Sequence, residues 1–379
     1  MQTSQEIIKA MFEGKSFDRF AIYEGFWPEA LDRWVTQGYP TQVVDQNGIE
    51  TRVPVDPFLY FDFDMHKCGG FFDTEPIVQD EFIIQETDEW VIKRNGAGAT
   101  LKWWKSKSGT PEHLDFHMKS REIWEQSYRY HLLNVDYRRF NGKWWEPKTL
   151  HADRQDLRYG KRTKKWTWYG HVFVWEVMRA CLGDLHMYES LLLDPEWLLD
   201  FNRIYTNFFK MHFDVLFKEN GLPDGIWIMD DIAYKKGLFA SPKVMDKLFM
   251  PFYAEIVDYF HKLGMPVVFH SDGNITDAVP MLIDAGFDGL NPIEAKSGCD
   301  LLALGKKYRD HIVFVGGLDV RVMETNDRVV IAREVIRILD GMKRYGVPYV
   351  FGSDHTVTPL VDFDTYRFVI DLFRENMVL

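Results

Sequence analysis

Cysteine is scarce in this 379-residue chain: Cys68, Cys181 and Cys299 are three, far apart and odd in number. That excludes a disulfide framework and a cysteine-only zinc site. It fits a reducing compartment, so a cytoplasmic location is expected. Long apolar runs are also missing; none approaches the roughly 18 residues a bilayer-crossing helix needs. Residues 1–17 mix charged and apolar residues at helical spacing, without the apolar core and cleavage site of a signal peptide. Positive charge is in short supply, with 45 Lys and Arg against 57 Asp and Glu and a net charge of −12. General nucleic-acid binding, which depends on neutralising phosphates, is therefore not expected. The phosphate-cradling patterns G-x-G-x-x-G and G-x-x-x-x-G-K-[ST] do not occur. There is no short-period repeat and no low-complexity tract.

What is present is enough apolar material for a sizeable core, 46% of residues. The chain changes character near residue 165. Before it, the pattern is mixed. Residues 2–12 read as a helix, Phe20 to Gly25 as a strand, and Pro28 to Gln37 as a helix with proline at its start and Gly38 after its end. From Phe58 to Trp104 short β segments take over. Phe82–Gln85, Glu89–Arg94 and Ala99–Trp104 are punctuated by turns, among them Asn95-Gly96, a hairpin signal.

After residue 165 one theme repeats: an apolar β-rich run, then a helix. The runs are Gly225–Asp231, Pro266–Asp272, Gly289–Glu294, Ile312–Asp319 and Tyr349–His355. Between the first two, Ser241 caps a helix with Pro242 in its first turn and Gly264 at its end. A second long helix runs from about Arg328 to Tyr345, with Gly346 after it. Strand and helix in alternation mean βαβ units and a parallel sheet. A doubly wound sheet usually carries a glycine-rich nucleotide loop, which is missing. The expected fold is therefore a (β/α)8 TIM barrel, one domain over 1–379, with an antiparallel β-rich and aromatic insertion at about 58–165.

Each late run ends in groups that titrate or bind metals: Asp230-Asp231, His270-Ser-Asp272, Asn291-Pro-Ile-Glu294, Gly316-Gly-Leu-Asp319 and Gly352-Ser-Asp354-His355. In a parallel barrel these ends share one face, where the active site lies. Carboxylates after strands also cap helices, which is an equal reading for Asp319 and for one of Asp230 and Asp231. Alternate strand residues share a side, so His270 and Asp272 can point together into the mouth. Such a group suits a divalent metal such as zinc or general acid–base work; the sequence leaves both open. Residues 138–165 hold ten Lys and Arg against three Asp and Glu, and eight of the 13 tryptophans fall between Trp103 and Trp175. This is either an arginine-rich solvated loop over buried aromatics or a lid that clamps an anionic or planar ligand.

From about Gly221 onward the chain resembles the uroporphyrinogen decarboxylase superfamily. The resembling pieces are Asp230-Asp-Ile-Ala-Tyr-Lys235, Lys236-Gly-Leu-Phe-Ala-Ser-Pro242, Phe269-His-Ser-Asp-Gly-Asn274, Asn291-Pro-Ile-Glu294, Gly316-Gly-Leu-Asp319 and Phe351-Gly-Ser-Asp-His355. Ile22-Tyr-Glu-Gly-Phe-Trp-Pro28 looks like the opening of an uncharacterised branch. The resemblance implies a (β/α)8 barrel and either decarboxylation or methyl transfer with a corrinoid and zinc. Decarboxylases of the family carry an early arginine pair; Tyr23 to Glu29 has none. Zinc-dependent methyltransferases of the family use H-x-C and a later cysteine; here the matching positions are His270, Asp272 and the Ser353–His355 region.

The main expectation is a methyltransferase-like activity on a small substrate. Asp231, His270, Asp272, Glu294 and His355 are the candidate catalytic residues. His270, Asp272 and Glu294 are the candidate metal ligands. Tyr234, Lys235, Asn274, Asp354 and Trp27 are the candidate substrate contacts. The cofactors expected are zinc or another divalent metal and a corrinoid supplied by a partner protein, with a homodimer as a further assembly and no membrane partner. The alternative is a cofactor-free decarboxylase of a tetrapyrrole or other polycarboxylate, and a third reading is a non-enzymatic binding barrel.

Overall fold

The computed structural model describes residues 2–46, 49–106, 109–141 and 149–379. Eight parallel strands form a nearly closed barrel: β1 (Ala21–Ile22), β2 (Met65–Lys67), β3 (Trp166–Val172), β4 (Gly225–Met229), β5 (Val267–His270), β6 (Gly289–Asn291), β7 (Val313–Val315) and β8 (Tyr349–Phe351). Their order is β1-β8-β7-β6-β5-β4-β3-β2. The β1–β2 seam is bridged by the Asp64 N–H, which donates to Ile22 O at 3.0 Å. The Asp64 carboxylate takes the place of a strand carbonyl there, accepting the Ile22 N–H at 2.9 Å and both Arg19 Nη groups.

Strand alternation sorts the side chains. Trp166, Trp168, Trp227, Val268, Val313, Val315 and Val350 pack inside the barrel, together with Ile7, Ile8 and Met11 of the Ser4–Phe12 helix. That helix therefore plugs the N-terminal end. Ile226, Ile228, Val267, Phe269, Leu290, Phe314, Tyr349 and Phe351 point outward into the layer between strands and helices. Such a filled interior leaves chemistry to the C-terminal mouth.

All five late runs are barrel strands, each shorter than expected, because the polar residues at their ends leave the sheet to form the mouth loops. The helix expected from Ser241 to Gly264 is two helices, Pro242–Leu248 and Met250–His261. Pro251 lies in the first turn of the second, where it has no N–H to continue the first. The Arg328–Tyr345 helix is as expected, with Gly346 left-handed at φ 63° after it.

In the N-terminal half, Phe82–Glu86, Trp90–Arg94, Ala99–Trp104 and Glu112–Phe116 form a four-stranded antiparallel sheet. The hairpin at Asn95-Gly96 is a four-residue turn rather than a two-residue one. Asn95 Oδ1 accepts from Ala97 N and Ala99 N, and the positive φ falls on Gly98. Met65–Lys67, within the stretch read as an insertion, is a barrel strand.

In the basic stretch, Arg139, Arg154 and Lys161 are engaged within the fold. Arg139 is buried and donates to the carbonyls of Asp73, Glu75 and Pro76. Arg154 bonds Asn220 and Glu219, and Lys161 bonds Leu222 O, on the Leu150–Arg162 helix that packs against β3. Residues 142–148, with Trp144 and Trp145, lie outside the described residues. Cys68, Cys181 and Cys299 are all buried, and none is in a disulfide. Among the described residues no helix is long and apolar enough to cross a membrane.

Candidate functional site

The alternation that packs the barrel also splits the adjacent aspartates after β4. Asp230 continues the outward side of Ile226 and Ile228. It is fully buried and accepts the N–H groups of Phe173, Trp175 and Glu176 and the Tyr253 hydroxyl. It is therefore the anchor for the start of the Val174–Leu193 helix. Asp231 continues the inward side of Trp227 and Met229 and emerges in the mouth. On β5, His270 follows Val268 inward, and Asp272 follows His270.

Asp231, His270 and Asp272 each offer a ligand atom within 4.8 Å of the other two. His270 Nε2 is 4.0 Å from Asp231 Oδ1 and 3.9 Å from Asp272 Oδ1. The other imidazole nitrogen, Nδ1, is 2.6 Å from Asn291 Oδ1. Asn291 is oriented by its own Nδ2, which donates to Val315 O at 3.1 Å. That leaves its oxygen for His270, so Nδ1 carries the hydrogen and the Nε2 lone pair faces the two carboxylates. This is how metal-ligating histidines are held. Asp231 is steadied by the Asp272 N–H at 2.8 Å. Asp272 Oδ1 is buried and has no hydrogen-bond partner among the described residues. A buried, unpartnered carboxylate oxygen beside an imidazole lone pair calls for a cation, and one nitrogen with two oxygens suits zinc or a similar divalent ion.

His355 joins this group from β8, its Nδ1 3.8 Å from Asp272 Oδ2. Glu294 differs from expectation as a ligand. It is buried, Oε2 accepts from Gly273 N at 2.5 Å and Ser297 Oγ at 2.8 Å, and Oε1 pairs with Lys296 at 2.9 Å. Its oxygens hold the β5 and β6 loops together, and Asp231 takes the place expected of Glu294 in the metal trio. Asp354 is also buried, its oxygens accepting from Ala295 N and Val320 N, so it ties three loops together beneath the mouth rather than facing a substrate. Asp319 caps the Val320–Glu324 helix and pairs with Arg321. Asn274 accepts from Thr276 N within its own loop. Tyr234 and Trp27 are exposed at the mouth-side ends of β4 and β1, Tyr234 stacked on Phe239 at 5.3 Å. Lys235 is exposed beside Tyr234.

Sequence reading passed over several groups at this face. Asn291 was visible only as part of a motif, and its role emerges from register, since it pairs with His270 across β5 and β6. Glu24 and Glu176 carried no spacing signal. Gly273 is the hinge between loops: its φ is 90°, and a Cβ there would lie 2.5 Å from the Ala233 backbone carbon. Gly273→Ala is expected to displace Asp272 or the Ala233–Leu238 hairpin and to cost about 1–3 kcal/mol, read as a lower urea midpoint. An unchanged midpoint would contradict this packing.

Burial raises several carboxyls at this face. It pushes Asp272 upward, opposed by His270 and His355 and reinforced by Asp231 and Glu294. In Glu294, burial is outweighed by Lys296, Ser297 and the Gly273 N–H, which hold it below the usual range. Glu24 and Glu176 are pushed up to about 7, and Asp230 to about 6, chiefly by burial. A carboxyl raised on folding stabilises the fold fully below its unfolded pKa, and that contribution is lost as pH rises through the folded value. Thermal midpoints should therefore fall between about pH 5 and about pH 8, and the fall should be smaller in Glu24→Gln. A flat or rising profile would refute the assignment.

A (β/α)8 barrel with a carboxylate–histidine cluster at its C-terminal mouth is the class that fold and site define. Residues 190–376, just under half of the chain, match the family model for uroporphyrinogen decarboxylase (URO-D). Among solved structures it is similar over its whole length to a methyltransferase from Methanosarcina mazei, with a TM-score of 0.67, 12% identity and 99% of each chain covered. At that identity the likeness is one of fold. A protein provisionally described as a vitamin-B12 independent methionine synthase from Listeria monocytogenes has a TM-score of only 0.33 at 12% identity, over 59% of this chain and 66% of its own. No curated protein matches the chain.

Proposed function

We propose that this chain is a methyltransferase-type enzyme that holds a divalent cation, zinc first, between Asp231, His270 and Asp272. Its substrate is a small molecule, and a corrinoid, free or carried by a partner protein, is the methyl donor or acceptor. The observation that carries this reading is the unpartnered Asp272 oxygen facing a histidine whose tautomer is set by Asn291. The barrel shared with a methyltransferase and the match of residues 190–376 to the URO-D family model support it. When bound, such an ion acts as a Lewis acid toward a coordinated substrate heteroatom.

The chain's own residues do the rest. His270 is oriented by Asn291, and Asp231 is held by the Asp272 N–H. His355, at 3.8 Å from Asp272, is placed to exchange a proton at the edge of the cluster. The same carboxylate-rich mouth would repel a polycarboxylate, which counts against porphyrinogen decarboxylation.

The test is metal analysis of protein purified without added metal, followed by zinc titration and assays of methyl transfer to cob(I)alamin. The assay panel is methoxylated and methylated amine substrates. Stoichiometric zinc binding lost in Asp231→Ala is the expected result. Absence of metal binding together with no methyl transfer would sink the reading, and turnover of uroporphyrinogen would replace it with decarboxylation.

A further inference from the structure

One carboxyl group joins the loops that follow β1 and β8, and it lies outside the Asp231–His270–Asp272 trio. Glu24 is only 6% exposed. Its Oε1 is 2.6 Å from Ser353 Oγ and 3.0 Å from Gly25 N, and its Oε2 accepts the Ser353 N–H at 3.0 Å. Ser353 Oγ is also hydrogen-bonded to the carbonyl oxygen of His355.

A hydroxyl has one hydrogen to donate. With Glu24 ionised, that hydrogen would face two close acceptors, the Glu24 carboxylate and the His355 carbonyl, and one of the two oxygen–oxygen contacts would hold no hydrogen. The count closes when Glu24 carries a proton. Glu24 Oε1–H then donates to Ser353 Oγ, and the Ser353 hydrogen goes to His355 O. The titratable groups facing Glu24 are the phenols of Tyr349 and Tyr366 and the carboxyl of Asp354. None of these compensates a negative charge, and burial pushes Glu24 up to about 7.

We propose that Glu24 is a positioning residue carried in its protonated form, which runs a hydrogen-bond chain through Ser353 to the His355 backbone and so fixes the His355 imidazole beside Asp272. This does not depend on which reaction the mouth performs.

Infrared difference spectra test it directly. Below the Glu24 midpoint of about 7, wild-type protein minus Glu24→Gln should show one carboxylic-acid C=O band, and that band should bleach as the pH is raised through the midpoint. Subtraction removes the other raised carboxyls, among them Asp230, Glu176, Asp272 and Asp354. Ser353→Ala keeps the carboxyl but removes its acceptor, so the band should move to higher frequency; this variant carries the assignment should Glu24→Gln fold poorly. The second readout is the His355 imidazole in histidine-labelled protein, followed by NMR. At fixed pH its ring resonances should keep their chemical shifts in Glu24→Gln, whose amide still donates to Ser353, and move in Glu24→Ala. Absence of a carboxylic-acid band in both difference spectra, or His355 ring chemical shifts in Glu24→Ala identical to wild type, would overturn the proposal.

Discussion

Replacing His270 by alanine is expected to lower divalent-metal affinity by at least about 100-fold, and Asn291→Ala by about 10–100-fold. The second figure is the more discriminating. Asn291 would touch no metal; it holds Nδ1–H of His270 at 2.6 Å and is itself held by Val315 O. Without it, His270 is free to turn over or take the other tautomer, and the Nε2 lone pair is no longer aimed at Asp231 and Asp272. Glu294→Gln is the control. It should leave zinc affinity nearly intact, because Glu294 spends its oxygens on Gly273, Ser297 and Lys296. Isothermal titration with zinc checks all three. Equal losses for Asn291→Ala and Glu294→Gln would show that the cluster had been drawn around the wrong carboxylate.

Asp230→Ala should be among the most destabilising single substitutions in the barrel, at about 3–5 kcal/mol. The carboxylate is fully buried and accepts three backbone N–H groups and the Tyr253 hydroxyl. Alanine leaves those four donors without a partner, three of them at the start of the helix that begins at Val174. Each buried donor left unmade costs about 1–3 kcal/mol before relaxation. Asp231→Ala, one residue away on the opposite side of the strand, should cost far less, since its side chain is 40% exposed. Urea unfolding of the pair reads the difference as separate midpoints. Similar midpoints would mean that the two aspartates do not face opposite layers.

That pair also shows how much could be read from sequence. The five late strands were legible because each is an apolar run with polar punctuation, and the placing of His270 and Asp272 followed from the two-residue period alone. Two barrel strands were not legible. Trp166–Val172 is buried at every position, so it has no alternation and merges with the aromatic stretch before it. Met65–Lys67 is three residues long, two of them polar. Which of two neighbouring aspartates serves the mouth needs the register of β4, and the choice of Asp231 over Glu294 needs knowledge of which oxygens are already taken. Glu24 and Asn291 are single polar residues whose importance comes from partners 329 and 21 positions away in the chain. No local pattern announces such partners.

The β1–β2 seam has a consequence for how the molecule breathes. Where the other strands of the barrel exchange backbone ladders, this seam has the single Asp64 N–H to Ile22 O bond and the Asp64 side chain, held by Arg19 and by Ser4. Protection of a strand edge follows the free energy of its local opening, so amide exchange should begin at Ile22 and Asp64 and reach the β4–β6 ladder last. Because Glu24 leaves β1 two residues after Ile22 and grips Ser353, each such opening would loosen the grip on His355. The first strand is thereby the route through which slow fluctuations of the barrel wall are felt at its mouth.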